Sequence, residues 1–163
     1  MNKAYLLIGG NEGERMDELA RACRKIIEFC GPLIRRSSLY ETAAWGKTDQ
    51  AAFLNQALLL ETSLTAPSLM EMLLGIEEKM GRKRLEKYGP RIIDIDILFF
   101  NREIINLAGL VIPHPEIQNR RFALEPMNEI ASSYIHPLLQ KTILELLLEC
   151  PDKLDVKKIP LII

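Results

Sequence analysis

Gly81-Arg82-Lys83-Arg84-Leu85-Glu86-Lys87-Tyr88-Gly89-Pro90-Arg91 runs directly into Ile92-Ile93-Asp94-Ile95-Asp96-Ile97-Leu98-Phe99-Phe100, and the rest of the chain can be read outward from this stretch. Its second half, Ile92 to Phe100, has the composition of a buried strand, rich in Ile and Phe with no Gly or Pro. It nevertheless carries two carboxylates. Strand side chains alternate, so Asp94 and Asp96 point to one face, with Cα atoms roughly 6.5–7 Å apart. Ile92, Leu98 and Phe100 fall on the same face by this count. A wet strand face would explain two aspartates. Carboxylates among apolar neighbours instead call for a partner, and oxygens without nearby His or Cys suit Mg²⁺ or Mn²⁺ rather than Zn²⁺.

The first half supplies the opposite charge. Between Arg82 and Arg91 lie Arg82, Lys83, Arg84, Lys87 and Arg91 against the single anion Glu86, and Gly81, Gly89 and Pro90 mark the segment as a loop. A solvated charge run is the common fate of such a segment. A basic loop abutting a carboxylate pair points further, to a polyphosphate with Mg²⁺: the carboxylates hold the metal, the metal bridges phosphates, and Arg and Lys take the remaining charge.

The chain has 163 residues, 48% of them hydrophobic, which is enough for one domain with a sizeable core. The net charge of −1 gives no overall field toward nucleic acid or anionic membrane. No apolar run approaches the roughly 18 residues of a membrane span, and the amino terminus lacks a signal-peptide pattern. Three cysteines without a CxxC indicate neither a disulfide frame nor a zinc knuckle. Cys23 and Cys30, seven apart, belong to one helical face. The expected location is cytoplasmic.

Ala4 to Ile8 reads as a strand, followed by a Gly9-Gly10-Asn11-Glu12-Gly13 turn that fits neither GxGxxG nor GxxxxGK[ST]. Apolar residues at 16, 19, 20, 23, 26, 27 and 30 predict a helix over Arg15 to Cys30, stopped by Gly31-Pro32. Leu33 to Tyr40 and Phe53 to Glu61 read as strands. Thr65 is a candidate N-cap for a helix whose buried side is Leu69, Met70, Leu73, Ile76 and Met80. After the central strand, Glu103 to Ile105 reads as a small strand and Leu110 to Pro115 as extended. Arg120 to Ile130 and Lys141 to Glu149 are helix candidates. The order β-α-β-β-α-β, with helices appended, predicts an α+β, ferredoxin-like fold: a mostly antiparallel four-stranded core sheet with helices packed on it, in one domain spanning 1–163.

Gly89-Pro90-Arg91-Ile92-Ile93-Asp94-Ile95-Asp96-Ile97 resembles the G-P-R-x-x-D-x-D-[IL] signature of the 6-hydroxymethyl-7,8-dihydropterin pyrophosphokinase family of folate biosynthesis. Ile8-Gly9-Gly10-Asn11 is similar to that family's I-G-S-N, with Gly10 in place of Ser. Ser38 to Thr42 resembles its S-x-x-Y-x-T, and Phe53-Leu54-Asn55 its [YF]-x-N. Ile76-Glu77 with Gly81-Arg82, Pro113-His114-Pro115, and Arg120 with Phe122 follow its later motifs. Outside the G-P-R-x-x-D-x-D stretch no fragment is specific alone; their order and spacing carry the resemblance across nearly the whole chain.

The resemblance implies transfer of a whole pyrophosphoryl group from ATP to the pterin hydroxymethyl, with release of AMP. Asp94 and Asp96 would bind two Mg²⁺ ions. Arg82 and Arg91 would reach the phosphates from a mobile loop. Glu77, Arg84, His114 and Arg120 would serve ATP. Thr42, Phe53, Asn55 and Phe122 would form the pterin pocket, with Trp45 and Tyr88 near its mouth. An aromatic sandwich with an amide at its edge suits a flat, hydrogen-bonding heterocycle. Core packing is the ordinary role of each aromatic taken alone, a loop histidine is ordinarily satisfied locally, and His136 reads as structural. Leu74 stands where many relatives carry Gln, and Ala43 and Ala44 replace prolines beside the pterin. The implied partners are small molecules, with no nucleic acid and no membrane, and another folate-pathway enzyme is admitted as a docking partner. Two other readings compete. A Mg²⁺-dependent nucleotidyltransferase or nuclease would more often bring a third carboxylate and a wider basic surface. A non-enzymatic ferredoxin-like RNA-binding module would expose sheet aromatics in a pattern missing here.

Overall fold

The computed structural model describes residues 1–43, 51–82 and 91–160. The chain runs β1 (Asn2–Gly10), α1 (Arg15–Phe29), β2 (Leu33–Arg36), β3 (Tyr40–Thr42), β4 (Phe53–Thr62), α2 (Ala66–Lys79), β5 (Asp94–Phe100), β6 (Ile105–Leu107) and β7 (Leu110–Ile112). A 3-10 turn over Ile117–Asn119 leads into α3 (Arg121–Ala131), α4 (Ile143–Glu149) and β8 (Val156–Lys158). The main sheet has the order β5-β1-β4-β3-β8, with β2 also on β4, and each of these pairings is antiparallel. This is the ferredoxin-like arrangement expected from the element order.

Two apolar layers sandwich the sheet. Period-two alternation sends Ala4, Leu6 and Ile8 of β1 to one face, where Leu19, Ala22, Cys23 and Ile26 of α1 and Leu69, Leu73 and Ile76 of α2 cover them. Leu7, Ala57, Leu59, Leu98 and Phe99 pack on the opposite face under α3 and α4. The Thr65 cap forms as expected, its side chain accepting from the Ser68 N–H at 3.3 Å. All three cysteines are buried thiols. No described helix is long and apolar enough to cross a membrane.

The structure corrects the sequence reading in four places. The strand expected over Leu33 to Tyr40 is two strands, because Ser37 interrupts the ladder: its N–H donates to Ala57 O and its hydroxyl oxygen accepts from Ala57 N, both at 2.9 Å. With that split, a C-terminal strand, β8, takes the expected four-stranded sheet to six. The small strand starts at Ile105 rather than Glu103 and pairs as a hairpin with β7. Phe100 does not share a face with the aspartates. Tyr5 lies opposite Phe99 while Leu6 lies opposite Ile97, so Leu98 is an extra residue in β5. This bulge reverses the phase and turns Phe100 into the α1–α2 core.

α4 begins with a capping box: the Thr142 hydroxyl accepts from the Glu145 N–H at 3.1 Å, and the Glu145 carboxylate accepts from the Thr142 N–H at 3.0 Å. Thr142→Ala should therefore lower stability by about 1 kcal/mol, read as a reduced urea midpoint at unchanged m-value.

Candidate functional site

Cross-strand register assembles the site. On the face under α3, Tyr40 of β3 lies opposite Asn55 of β4, Asn55 opposite Gly9 of β1, and Gly9 opposite Asp94 of β5. The row on one side of it pairs Thr42 with Phe53; the row on the other runs Ala57, Leu7, Asp96. Gly9 is required by this packing. A Cβ there would lie 2.1 Å from Asn55 Oδ1 and 3.1 Å from Leu54 O. Gly10 is similarly hemmed in, 2.2 Å from Ile92 O.

These rows floor a cleft of about 670 Å³, lined by Arg82, Arg91, Asp94, Asp96, Glu77, His114, Arg120, Thr42, Phe53, Asn55 and Phe122, together with Leu7, Gly9, Ala43, Met70, Leu74, Glu78, Ile95 and Gly109. Its size is that of a small-molecule site. The residues singled out from sequence thus converge on one concavity, except Trp45, Arg84 and Tyr88, which lie outside the described residues. Ala44 lies outside them as well.

Asp94 is the centre of the ion pairs. Arg82 Nη1 is 3.1 Å from its Oδ1 and Arg91 Nη1 is 3.0 Å from its Oδ2. Arg82 also reaches Glu77 Oε1 at 3.0 Å. The other Glu77 oxygen accepts from the Ile95 N–H at 2.7 Å. β5 ends the sheet order, so this amide points out of the ladder, and a buried carboxylate on α2 satisfies it. Burial raises the Glu77 pKa, opposed by the Ile95 N–H and Arg82. Asp96 has no ion pair among the described residues. Burial, then the Asp94 carboxylate, push its pKa up to about 7.

β7 delivers His114. Its N–H donates to Leu98 O at 2.9 Å, and its Nδ1 accepts from the Glu116 N–H at 3.1 Å. Burial, then Arg120, lower its pKa to about 4. The imidazole is therefore neutral, with Nε2 the protonated nitrogen. Two guanidinium groups lie against aromatic rings, Arg91 5.7 Å from the Phe53 centroid and Arg120 5.7 Å from that of Phe122. Asn55 is buried in the cleft floor, and Thr42 Oγ1 donates to Asp155 O at 3.1 Å.

Sequence reading missed Asn11. It is buried, donates from Nδ2 to Ala51 O at 2.9 Å, and accepts from the Arg91 N–H at 3.0 Å, while its own N–H donates to Arg91 O at 3.0 Å. It therefore pins Arg91 at the mouth of the acidic strand. The signals for it were its place as a polar residue in a Gly-rich turn and as the Asn of the Ile8-Gly9-Gly10-Asn11 motif, neither of which carried a role. His136 is structural, as expected: Nδ1 accepts from the Leu138 and Leu139 N–H groups.

A family model described as 7,8-dihydro-6-hydroxymethylpterin-pyrophosphokinase matches residues 5–132. The chain belongs to this family. Among curated proteins similar to it, the 2-amino-4-hydroxy-6-hydroxymethyldihydropteridine pyrophosphokinase of Bacillus subtilis is 42% identical over 130 residues, covering 79% of this chain and 78% of the relative. The protein of that name from Aquifex aeolicus is 39% identical over 145 residues, covering 89% and 90%. The crystal structure of wild-type Plasmodium falciparum HPPK-DHPS with SDX-DHP matches with a TM-score of 0.71 at 20% identity, covering 91% of this chain and 43% of that one, a likeness of fold.

Removing the Asp96 charge should stabilise the ligand-free pyrophosphokinase fold in a pH-dependent way. An unfolded Asp titrates near pH 3.9, and Asp96 in the folded protein near 7. Between these values the folded state holds more protons, so the parent loses stability as pH rises through that window. Asp96→Asn has no such loss. In metal-free buffer its denaturation midpoint should exceed the parent's at pH 8, with the gap closing toward pH 4. Equal midpoints at pH 8 would show that the carboxylate is not held at a cost.

Proposed function

We propose that this chain transfers pyrophosphate from ATP to the hydroxymethyl group of 6-hydroxymethyl-7,8-dihydropterin, releasing AMP, as a transferase of folate biosynthesis, and that residues 1–163 act as one domain. The observation that carries this reading is the juxtaposition, in one cleft, of the Asp94–Asp96 carboxylate pair, with two arginines on Asp94, and a slot built from Thr42, Phe53, Asn55 and Phe122. Neither a nucleotidyltransferase nor an RNA-binding module accounts for that slot.

In the pterin half, the rings of Phe53 and Phe122 offer flat apolar surface and the Asn55 amide reads the heterocycle edge. Gly9 makes room for the Asn55 amide to lie over β1 beside the Asp94 strand, so a heterocycle read by that amide can direct its hydroxymethyl group toward the acidic pair. In the nucleotide half, Glu77 borders the site, the neutral His114 offers Nε2–H, and Arg120 offers a guanidinium to phosphate oxygens. Arg84 would join them, with Trp45 and Tyr88 near the mouth of the pterin pocket, as the resemblance implies.

Asp94 and Asp96 fit Mg²⁺. They are two same-face carboxylates, and the described residues contain no cluster of three His, Cys, Asp or Glu that could cage an ion, so phosphate and water oxygens would complete the shell, as Mg²⁺ prefers. Two Mg²⁺ ions held there would neutralise the triphosphate and orient it in line with the attacking hydroxyl. In the transfer, the hydroxymethyl oxygen gives up its proton to solvent and bonds to the β-phosphorus, and the bond from that phosphorus to the α,β-bridging oxygen breaks. AMP leaves with that oxygen. Arg82 and Arg91, released from Asp94, are placed to stabilise charge on the transferring group.

A cytoplasmic location suits these substrates. Another folate-pathway enzyme as a partner is supported by the longer relatives, such as the Folic acid synthesis protein fol1 of Pneumocystis carinii, of which the matched region is 18%.

Incubation with ATP, Mg²⁺ and the pterin should yield AMP one for one with pterin pyrophosphate. ADP with a pterin monophosphate would overturn the reaction assignment. Asp96→Ala should abolish turnover. Arg82→Ala and Arg91→Ala should each slow the chemical step by at least about 10², with ATP affinity changing less than about tenfold. Single-turnover quench-flow beside equilibrium ATP binding separates the two. Losses confined to affinity would make these arginines a static phosphate clamp.

A further inference from the structure

We infer that Glu129 is a positioning residue for the pterin half of the cleft, clamping β3 against α3. This inference rests on the reading of that half given above. Glu129 Oε1 accepts from the Tyr40 hydroxyl at 2.6 Å, and Oε2 accepts from the Ser38 N–H at 3.0 Å and from the Ser38 hydroxyl at 3.2 Å. Lys158 of β8 lies 3.7 Å from Oε1. One carboxylate thus gathers the segment before β3, β3 itself and β8.

Placement connects this cluster to the slot. Seven residues separate Phe122 from Glu129, so both project from one face of α3, about 10 Å apart along its axis. On the sheet, Tyr40 lies opposite Asn55 and Thr42 opposite Phe53. Every slot residue is therefore either a neighbour of Tyr40 in β3 and β4 or on the helix face that Glu129 shares. α3 is the fixed partner, because Ala123, Leu124, Met127 and Ile130 anchor it in the apolar core and Asp152 holds Arg121 at its start. β3 is only three residues long. It is the element whose position the clamp decides.

Local preference argues the same way. An anion two residues from the end of α3 opposes the helix dipole. The side chain stays ionised because Tyr40, Ser38 and Lys158 together lower its pKa despite partial burial. A residue that violates a local rule and is compensated only by partners flanking a binding slot is placed for the slot.

The test is equilibrium binding of the pterin, in the presence of a non-hydrolysable ATP analogue, and of the analogue alone. Glu129→Ala should raise the pterin Kd at least about tenfold, the loss expected when charge-assisted bonds holding a pocket wall are removed. Tyr40→Phe, which deletes one bond and keeps the ring, should give a smaller loss of the same sign. Analogue affinity should stay within about twofold of wild type. Unchanged pterin affinity, or equal weakening of pterin and analogue, overturns the inference. If Glu129→Ala does not fold, Tyr40→Phe decides by the same comparison. Failure of the wild-type protein to bind pterin would instead overturn the proposed function.

Discussion

At Gly9 the middle strand presents no side chain, and the Asn55 amide from one neighbouring strand lies in the space this leaves, directed toward Asp94 on the other. Strands sit about 4.8 Å apart, so the Cα atoms of Asn55 and Asp94 are roughly 10 Å apart, and the Asn55 amide reaches into that interval over β1. Any side chain at Gly9 would fill the space and displace Asn55, since even a methyl carbon would lie 2.1 Å from its Oδ1. The aromatic walls, the edge-strand carboxylates and the arginines above them all take their positions relative to this row.

The charges around the row are distributed unequally. Asp94 receives both arginines and Glu77 shares one of them, whereas Asp96 pairs with neither, and burial, then the Asp94 carboxylate, raise its pKa. Glu77 illustrates how backbone need and site chemistry combine. An outward-facing amide on the edge strand needs an acceptor, and the carboxylate that satisfies it also orients Arg82 over Asp94. Replacing it with an apolar residue would leave a buried N–H unsatisfied and a guanidinium with one anchor fewer.

Much of this was legible in the sequence because alternation and turn residues report faces and boundaries directly. The aspartate pair, the β-α-β-β-α-β order and the Thr65 cap all follow from period and punctuation. Motif order then brought Thr42, Phe53, Asn55, His114, Arg120 and Phe122 to one site, although no local pattern links them. What stayed hidden depends on long-range register. Ser37 splits a strand through bonds to Ala57 twenty residues away, β8 has only three residues and no hydrophobic alternation, and Asn11 acts through backbone groups whose positions no side-chain pattern encodes. Glu129 was invisible for the same reason: its hydrogen-bond partners Ser38 and Tyr40 lie about ninety residues upstream.

The extra residue at Leu98 has a further consequence. β5 is two half-strands of opposite phase, joined where the pairing with β1 slips. Upstream, Asp94 and Asp96 face the cleft and Ile95 and Ile97 the α1–α2 core; downstream, Phe99 and Phe100 fill opposite layers. The joint lets a single short strand satisfy two sets of demands that an unbroken alternation would tie together. Substitutions beyond it can retune the packing of either layer without rotating the acidic pair. The acidic half of the strand is thereby insulated from drift in the half that holds the molecule together.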